Sequence, residues 1–452
     1  MRSRFIAGCA LVLASCILMG SQNTPSPRSR IDAFLYTAAA RYEPLAWMHG
    51  GDRFPLGSAI FRQTQNGRER LAKNFAASSD PSVSFDVERV IFAGRRATSD
   101  HWQIWEISLP TGDIRRITSC SDDCVRPFYL PEDRIVYAHK SDGRFVLEVA
   151  PLAGGSATPL TYAPGNFLPT DVLRDGRVLF EASYPLGSAS TSELYTVYTD
   201  GSGVESYRCD HGNARHAGRQ VASADIVFAR QRGLARFTSA LAHETEIAAP
   251  AGEYAGDVVE TKTGEWLFAR RSAETSRFRL ESWKPGSPSA RILVAEKNAD
   301  VVQPVLLSAR HVPNRHPSGL HDWTYANLLC LNAYTSKYRF ARESIGSAQL
   351  YTQDSTGEPK LLGSTAVEKD GSFYLRVPAD QPLRIELLDS AGKSLKKEEG
   401  WFWMRRGEQR VCVGCHAGPQ TAPENAVPMV LRRSIVPADM TRTSALAQAG
   451  GK

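Results

Sequence analysis

The sequence predicts an all-β protein: a six-bladed propeller, with seven blades as the alternative count, followed by a β-sandwich that ends in a short cofactor-binding segment. Three observations predict it. Short β-branched and aromatic runs punctuated by Gly, Asp, Pro and Ser fill residues 43–308 with almost no helical periodicity. Five runs share one pattern, beginning at Arg89, Arg134, Arg177, Asp225 and Glu265, a spacing of 40 to 48 residues that matches one four-stranded blade. A stretch at 309–327, rich in Pro, Gly, Asn and His, then breaks the pattern before a second set of strands begins.

In chain order, residues 1–21 open with Arg2 and Arg4 and continue as a short apolar run, which predicts an export signal. Leu13-Ala14-Ser15-Cys16 resembles a lipoprotein cleavage site and makes Cys16 a candidate for lipidation; plain cleavage and an uncleaved anchor are the alternatives. Residues 22–42 read as a Pro/Ser tether and one short helix, the helix resting on the composition of 31–42. In the propeller, 43–308, a hairpin from Ala59–Arg62 to Arg70–Leu71 and strands near Val301 and Val305 are expected to close one blade from both ends of the domain. Such closure removes exposed sheet edges. Residues 309–327 form the interdomain loop, 328–437 the sandwich with the cofactor segment, and 438–452 a Thr/Ser/Ala/Gly tail expected to be disordered.

Lys and Arg number 54 against 48 Asp and Glu, and no basic run forms a phosphate-tracking stripe, so nucleic acid is not an expected partner. Export places the cysteines in an oxidising compartment, where Cys120 and Cys124 suit a short-loop disulfide. Cys209 and Cys330 read as buried thiols.

The segment Cys412-Val413-Gly414-Cys415-His416 carries the chemistry. Two cysteines two residues apart with His next are what one covalently attached haem c needs: the thiols add to the haem vinyl groups, and His416 is then held under the iron as an axial ligand. A Cys412–Cys415 disulfide and a zinc site, with Cys330 as the unassigned neighbouring thiol, are the competing readings. Trp401, Phe402, Trp403 and Met404 suit either a porphyrin face or the sandwich core, and Arg405, Arg406 and Arg410 suit the propionates or a solvated turn. Met429, thirteen residues after His416, is the candidate second axial ligand. Met404 and Met440 are weaker ones, one of His311, His316 and His321 is another, and an open position remains.

Phrases such as Leu130-Pro131-Glu132-Asp133 and Arg174-Asp175-Gly176-Arg177 resemble TolB-like, WD40-like propeller repeats. Further on, Arg310-His311-Val312-Pro313, Leu329-Cys330-Leu331, Lys369-Asp370-Gly371-Ser372-Phe373, Leu387-Leu388-Asp389 and Gly407-Glu408 leading into the Cys412–His416 motif resemble the middle domain of hydrazine synthase alpha subunits. That resemblance implies a propeller ahead of the domain and a haem at the junction, attached through Cys412 and Cys415. Two departures separate the chain from that chemistry: only one Cys-x-x-Cys-His is present, and no Tyr follows Tyr374, whereas the family's catalytic haem is held by a tyrosine soon after the motif.

The function expected is therefore an exported monohaem protein, periplasmic or otherwise outside the cytoplasmic membrane, that transfers electrons or senses redox state. Its expected partner is a redox protein or a small redox-active molecule, with membrane contact only through the N-terminal lipid. A haem enzyme with an open distal site acting on a small nitrogen or oxygen species, and a propeller that serves as a binding scaffold, are the alternatives.

Overall fold

The computed structural model describes residues 33–184, 191–207, 214–239, 242–354, 356–415 and 425–441. The expected export signal with Cys16, the tether up to residue 32, Cys209, His416 and the tail from 442 lie outside the described residues.

Six four-stranded antiparallel sheets follow one another along the chain. The first is closed by both ends of the domain: Asp300–Leu306 pairs with Phe34–Ala39, which pairs with Ala59–Thr64 and then Gly67–Arg70. Each of the other five begins with an innermost strand, in order Ala77–Val83, Cys124–Leu130, Asn166–Val172, His216–Gln220 and Glu253–Glu260. The recurring runs of the sequence are the second strands, such as Arg89–Arg95 and Val178–Ser183, and their central residues are wholly buried between blades. Continuous apolar runs are what two-sided burial selects.

Residues 34–39 correct an expectation, since they form a strand where a helix was predicted. All six are buried between the closing strand and the next hairpin. Ala38 and Ala39 lend the stretch a helical composition, and tertiary pairing overrides that weak preference.

Each innermost strand carries a bulge at an equivalent place, and Asp80, Arg126, Ala217, Asp257 and Gln303 sit there with positive φ of 51–57°. A bulge turns its extra side chain out of the blade's alternation, here toward the central channel. The disulfide between Cys120 and Cys124 forms in the loop that enters the third blade.

After the interdomain loop, two four-stranded sheets make the sandwich. One has the order Gln409–Cys412, Tyr325–Cys330, Phe373–Pro378, Ala438–Asp439; the other Pro359–Ala366, Ser347–Gln353, Arg384–Leu388, Ser394–Lys397. Their core includes Leu328, Leu350, Leu375, Met404 and Met440. The segment expected to begin a disordered tail therefore starts as structure: Ala438–Asp439 pairs in parallel with Leu375 and Arg376, and Met440 is buried against Gly363. Among the described residues no helix is long and apolar enough to cross a membrane.

Candidate functional site

The sandwich is fastened to the fourth blade by a wedge. Trp403 is fully buried among propeller side chains, its ring centroid 6.3 Å from that of Phe167, and its Nε1 donates to the Gly201 carbonyl at 2.8 Å. Trp401 accepts at its carbonyl from the Tyr184 hydroxyl at 3.0 Å. Arg405 lies over Tyr162, donates to the Asp200 carbonyl, and pairs with Asp380 at 2.7 Å. Arg406 shares that Asp380 at 2.9 Å. Of the three arginines read as propionate partners, Arg405 and Arg406 are thus committed to the domain joint, and Arg410 alone faces the cavity described next.

Beside the wedge, an apolar cleft of about 1040 Å³, its open mouth included, lies between the fourth blade and the sandwich. Tyr195 and Val204 wall it from the propeller; Leu328, Phe373, Trp401 and Phe402 wall it from the sandwich. Cys412 and Cys415 are both on this wall, and neither is disulfide-bonded. The strand Gln409–Cys412 places them: it pairs in parallel with Asn327–Cys330, so Cys412 stands beside Cys330. Between the two motif cysteines the chain presses against the turn at 332–335. A Cβ on Gly414 would come within 2.0 Å of the Thr335 carbonyl oxygen, so only glycine fits there.

Burial pushes the Cys412 thiol above its usual range, with Arg410 opposing. Burial also raises Cys330 well above it, and Cys412 and Cys415 add to that shift. Both groups are neutral thiols at neutral pH. Two cations flank the apolar wall. Arg410 is held by Glu408 at 2.7 Å and lies 5.8 Å from the Phe402 centroid, and Lys396 lies 4.5 Å from the Tyr338 centroid.

These features fit a covalently held, planar, largely apolar cofactor with anionic tails. Two cysteines open onto one cavity, flat side chains face it, and cations stand at its edge. The aromatic run before the motif divides between its two predicted roles: Trp401 and Phe402 line the cleft, whereas Trp403 and Met404 are packed into the cores.

The other candidates lie elsewhere. Met429 starts a short helix, Met429–Arg433, with its amide donating to Asp370 Oδ2 at 2.7 Å. His316 stacks on Tyr198 at 3.7 Å, His321 stacks on Trp323 at 4.9 Å, and His311 stands at the mouth of the central channel. Among the described residues no Met or His lines the cleft. Lys396, Glu398 and the blade residues Tyr195 and Ser206 do, and they escaped the sequence reading because nothing in it pairs the fourth blade with the sandwich.

Residues 331–417 match the family model described as the hydrazine synthase alpha subunit middle domain. A stretch of 58 residues is 34% identical to the hydrazine synthase subunit alpha of Kuenenia stuttgartiensis, covering 13% of this chain and 7% of that subunit. The solved hydrazine synthase of Kuenenia stuttgartiensis superposes with a TM-score of 0.76 at 16% identity, covering 89% of this chain and 72% of that chain. TolB from Acinetobacter baumannii gives 0.44 at 13% identity over 60% of this chain and 66% of its own.

Proposed function

We propose, from the premise that this chain is related to the hydrazine synthase alpha subunit, that it is an exported protein holding one haem c in the cleft between the fourth blade and the sandwich. Cys412 and Cys415 are the attachment thiols and His416 the axial ligand. Its work is redox work at the cell envelope, as an electron carrier or redox sensor for a partner protein or a small redox-active molecule, with Cys16 as the lipid anchor. The single observation that carries this reading is that both motif cysteines open, undisulfided, onto one apolar cleft.

When bound, the haem supplies a one-electron couple at its iron. The chain's own residues set the conditions around it. Trp401, Phe402 and Phe373 line the cleft and would keep water from a haem held there, a low-dielectric surrounding that disfavours the more charged oxidation state. Lys396 and Arg410 are placed to meet propionate groups, and Gly414 lets the attachment turn seat against 332–335.

Co-expression with a c-type haem maturation system, followed by haem staining of the denatured protein and a pyridine haemochrome spectrum, tests the site. One haem per chain that survives denaturation is expected, with loss in Cys412→Ser and Cys415→Ser. A protein that takes up no covalent haem removes the proposal.

A second reading has an observation of its own. Among the described residues no Met or His lines the cleft, and a haem held there by the motif residues alone would suit an enzyme acting on a small nitrogen or oxygen species. Spectra of the reduced protein with and without carbon monoxide separate the two. Immediate carbon monoxide binding favours the enzyme, and an unchanged six-coordinate spectrum the carrier or sensor.

A further inference from the structure

The propeller's central channel is closed at one end and plugged at the middle. Residues 42–54 cross the starts of the innermost strands: the Tyr42 amide donates to Asp300 Oδ2 at 2.9 Å, Arg53 pairs with Asp80 at 2.5 Å, and Met48 accepts from Asn166 at 2.9 Å. Below that cap, Arg126 is paired with Asp257 and lies 3.7 Å from Asp80, and Gln303 Nε2 donates to Asp80 Oδ1 at 2.6 Å. All four side chains are buried.

At the other end, the finishing halves of the innermost strands surround a funnel of about 1560 Å³, its open mouth included. The funnel has three zones. At its floor, Arg219 stands on Asp257 at 3.1 Å and 3.6 Å from Asp171. Its walls are apolar, formed by Val83, Phe128, Val172, Val258, Val305 and Leu306. On its rim are Lys262, Arg310 and His311.

The rim cations are under-compensated. Arg310 donates to the Val83 carbonyl at 3.1 Å and lies 4.8 Å from the Phe85 centroid, and among the described residues no carboxylate pairs with it or with Lys262. Glu260 also lines the funnel and accepts from the Ala222 amide at 2.6 Å, and the lining cations Arg174, Arg219, Lys262 and Arg310 outnumber the lining carboxylates Asp171 and Glu260. Cations without carboxylate partners at the mouth of a concave site are stabilised by an oxyanion that accepts from both.

We propose that this funnel is a second ligand site, distinct from the cleft, which takes a small organic anion. Its carboxylate or phosphate head sits between Arg310 and Lys262 at the rim, and its apolar body reaches down against Phe128 and the wall valines. Neither Arg310 nor Lys262 takes part in the cleft, so the two sites are separable.

Isothermal titration of the full chain with phenyl phosphate, benzoate and inorganic phosphate tests this. At least one of the two aromatic anions is expected to bind, about tenfold or more tighter than inorganic phosphate, and binding is expected to fall about tenfold or more in Arg310→Gln combined with Lys262→Gln. Which aromatic anion wins distinguishes a phosphate from a carboxylate ligand. Lys262→Gln alone, at an exposed position, serves should the double variant fold poorly, and is expected to weaken binding in the same direction. Failure of both aromatic anions to bind at millimolar concentration overturns the proposal, as does binding that inorganic phosphate equals or that neither variant weakens.

Discussion

The cleft and the funnel both draw on the fourth blade, yet they are opposite media. The cleft uses the outer strands, Ser192–Val197 and its neighbour Glu205–Ser206, and is apolar with thiols on its wall. The funnel uses the inner strands, where bulges aim Asp80, Arg126 and Asp257 at one another. The outer strands of the fourth blade pair without a register shift and so offer alternate side chains to whatever docks on them, whereas a bulged inner strand offers whatever its extra residue carries. The proposed haem chemistry belongs to the first medium, and the proposed recognition by charge to the second.

That contrast predicts that damage to the joint, the channel and the cleft will separate. The largest effect is expected at the joint. Trp403→Ala removes a fully buried indole from the propeller side and the bond to Gly201, and is expected to cost about 3–5 kcal/mol in urea unfolding. Trp403→Phe should recover much of that loss. A Trp403→Ala protein as stable as wild type would mean that the sandwich is held elsewhere.

Next comes the channel. Arg126→Ala leaves Asp257 and Asp80 buried without their shared cation, a loss of about 3 kcal/mol, at the lower end for a broken buried pair because Arg219 and Arg53 remain. If the contrast holds, the refolded variant still accepts covalent haem, as Gly414→Val does not even though its propeller is untouched. Haem staining of the two variants beside their unfolding curves checks both halves.

The fold was legible where burial is two-sided. The second strands repeat because each blade sandwiches them, and closure by the two ends of the propeller followed from pieces left over at residues 59–71 and 301–307. Legibility failed where local chemistry argues against the structure: Phe34–Ala39 reads as helix because of its alanines, and the innermost strands hide behind Asp80-Pro81, Arg126-Pro127 and Gln303-Pro304, which look like turns. Yet a proline directly follows three of the five left-handed positions and marks the bulge there, whereas Gly218 follows Ala217 and Val258 follows Asp257. The cysteine motif was plain in the sequence, but what it faces was not, because Cys330 and the fourth blade reach it only through strand pairing and docking.

A smaller, pH-dependent effect distinguishes two carboxylates of the same propeller. Burial raises Glu181 to about 7, with the Ala217 amide and the nearby arginines opposing, whereas Asp257 is lowered to about 2 because Arg126 and Arg219 outweigh its burial. The signs are opposite. Folded Glu181 holds its proton above the pH at which the unfolded chain releases it, so stability falls as pH rises from about 4.5 to about 7; Asp257 contributes stability that is lost only as pH falls toward 2. Glu181→Gln keeps an acceptor for the Ala217 amide and removes the titration. Its stability relative to wild type should rise across that window by up to about 1.4 kcal/mol per pH unit, as urea midpoints at pH 5, 6 and 7 would show. A difference that stays flat with pH would place Glu181 in water.

The smallest expected effect is at Met429, the residue thirteen positions after the motif histidine. Its backbone is engaged: the amide donates to Asp370 Oδ2 at 2.7 Å and the next amide to Ser372 Oγ at 3.0 Å, which fixes the start of the short helix on the Asp370-Gly371 turn. Its side chain is 36% exposed and off the cleft wall. Met429→Ala keeps both amide bonds and removes only a partly solvated thioether, so its stability should stay within about 0.5 kcal/mol of wild type. The ferric and ferrous haem spectra of the variant should overlay those of wild type. A blue-shifted or high-spin spectrum in Met429→Ala would bring the 425–434 segment toward the cleft on loading, and would favour the carrier over the enzyme.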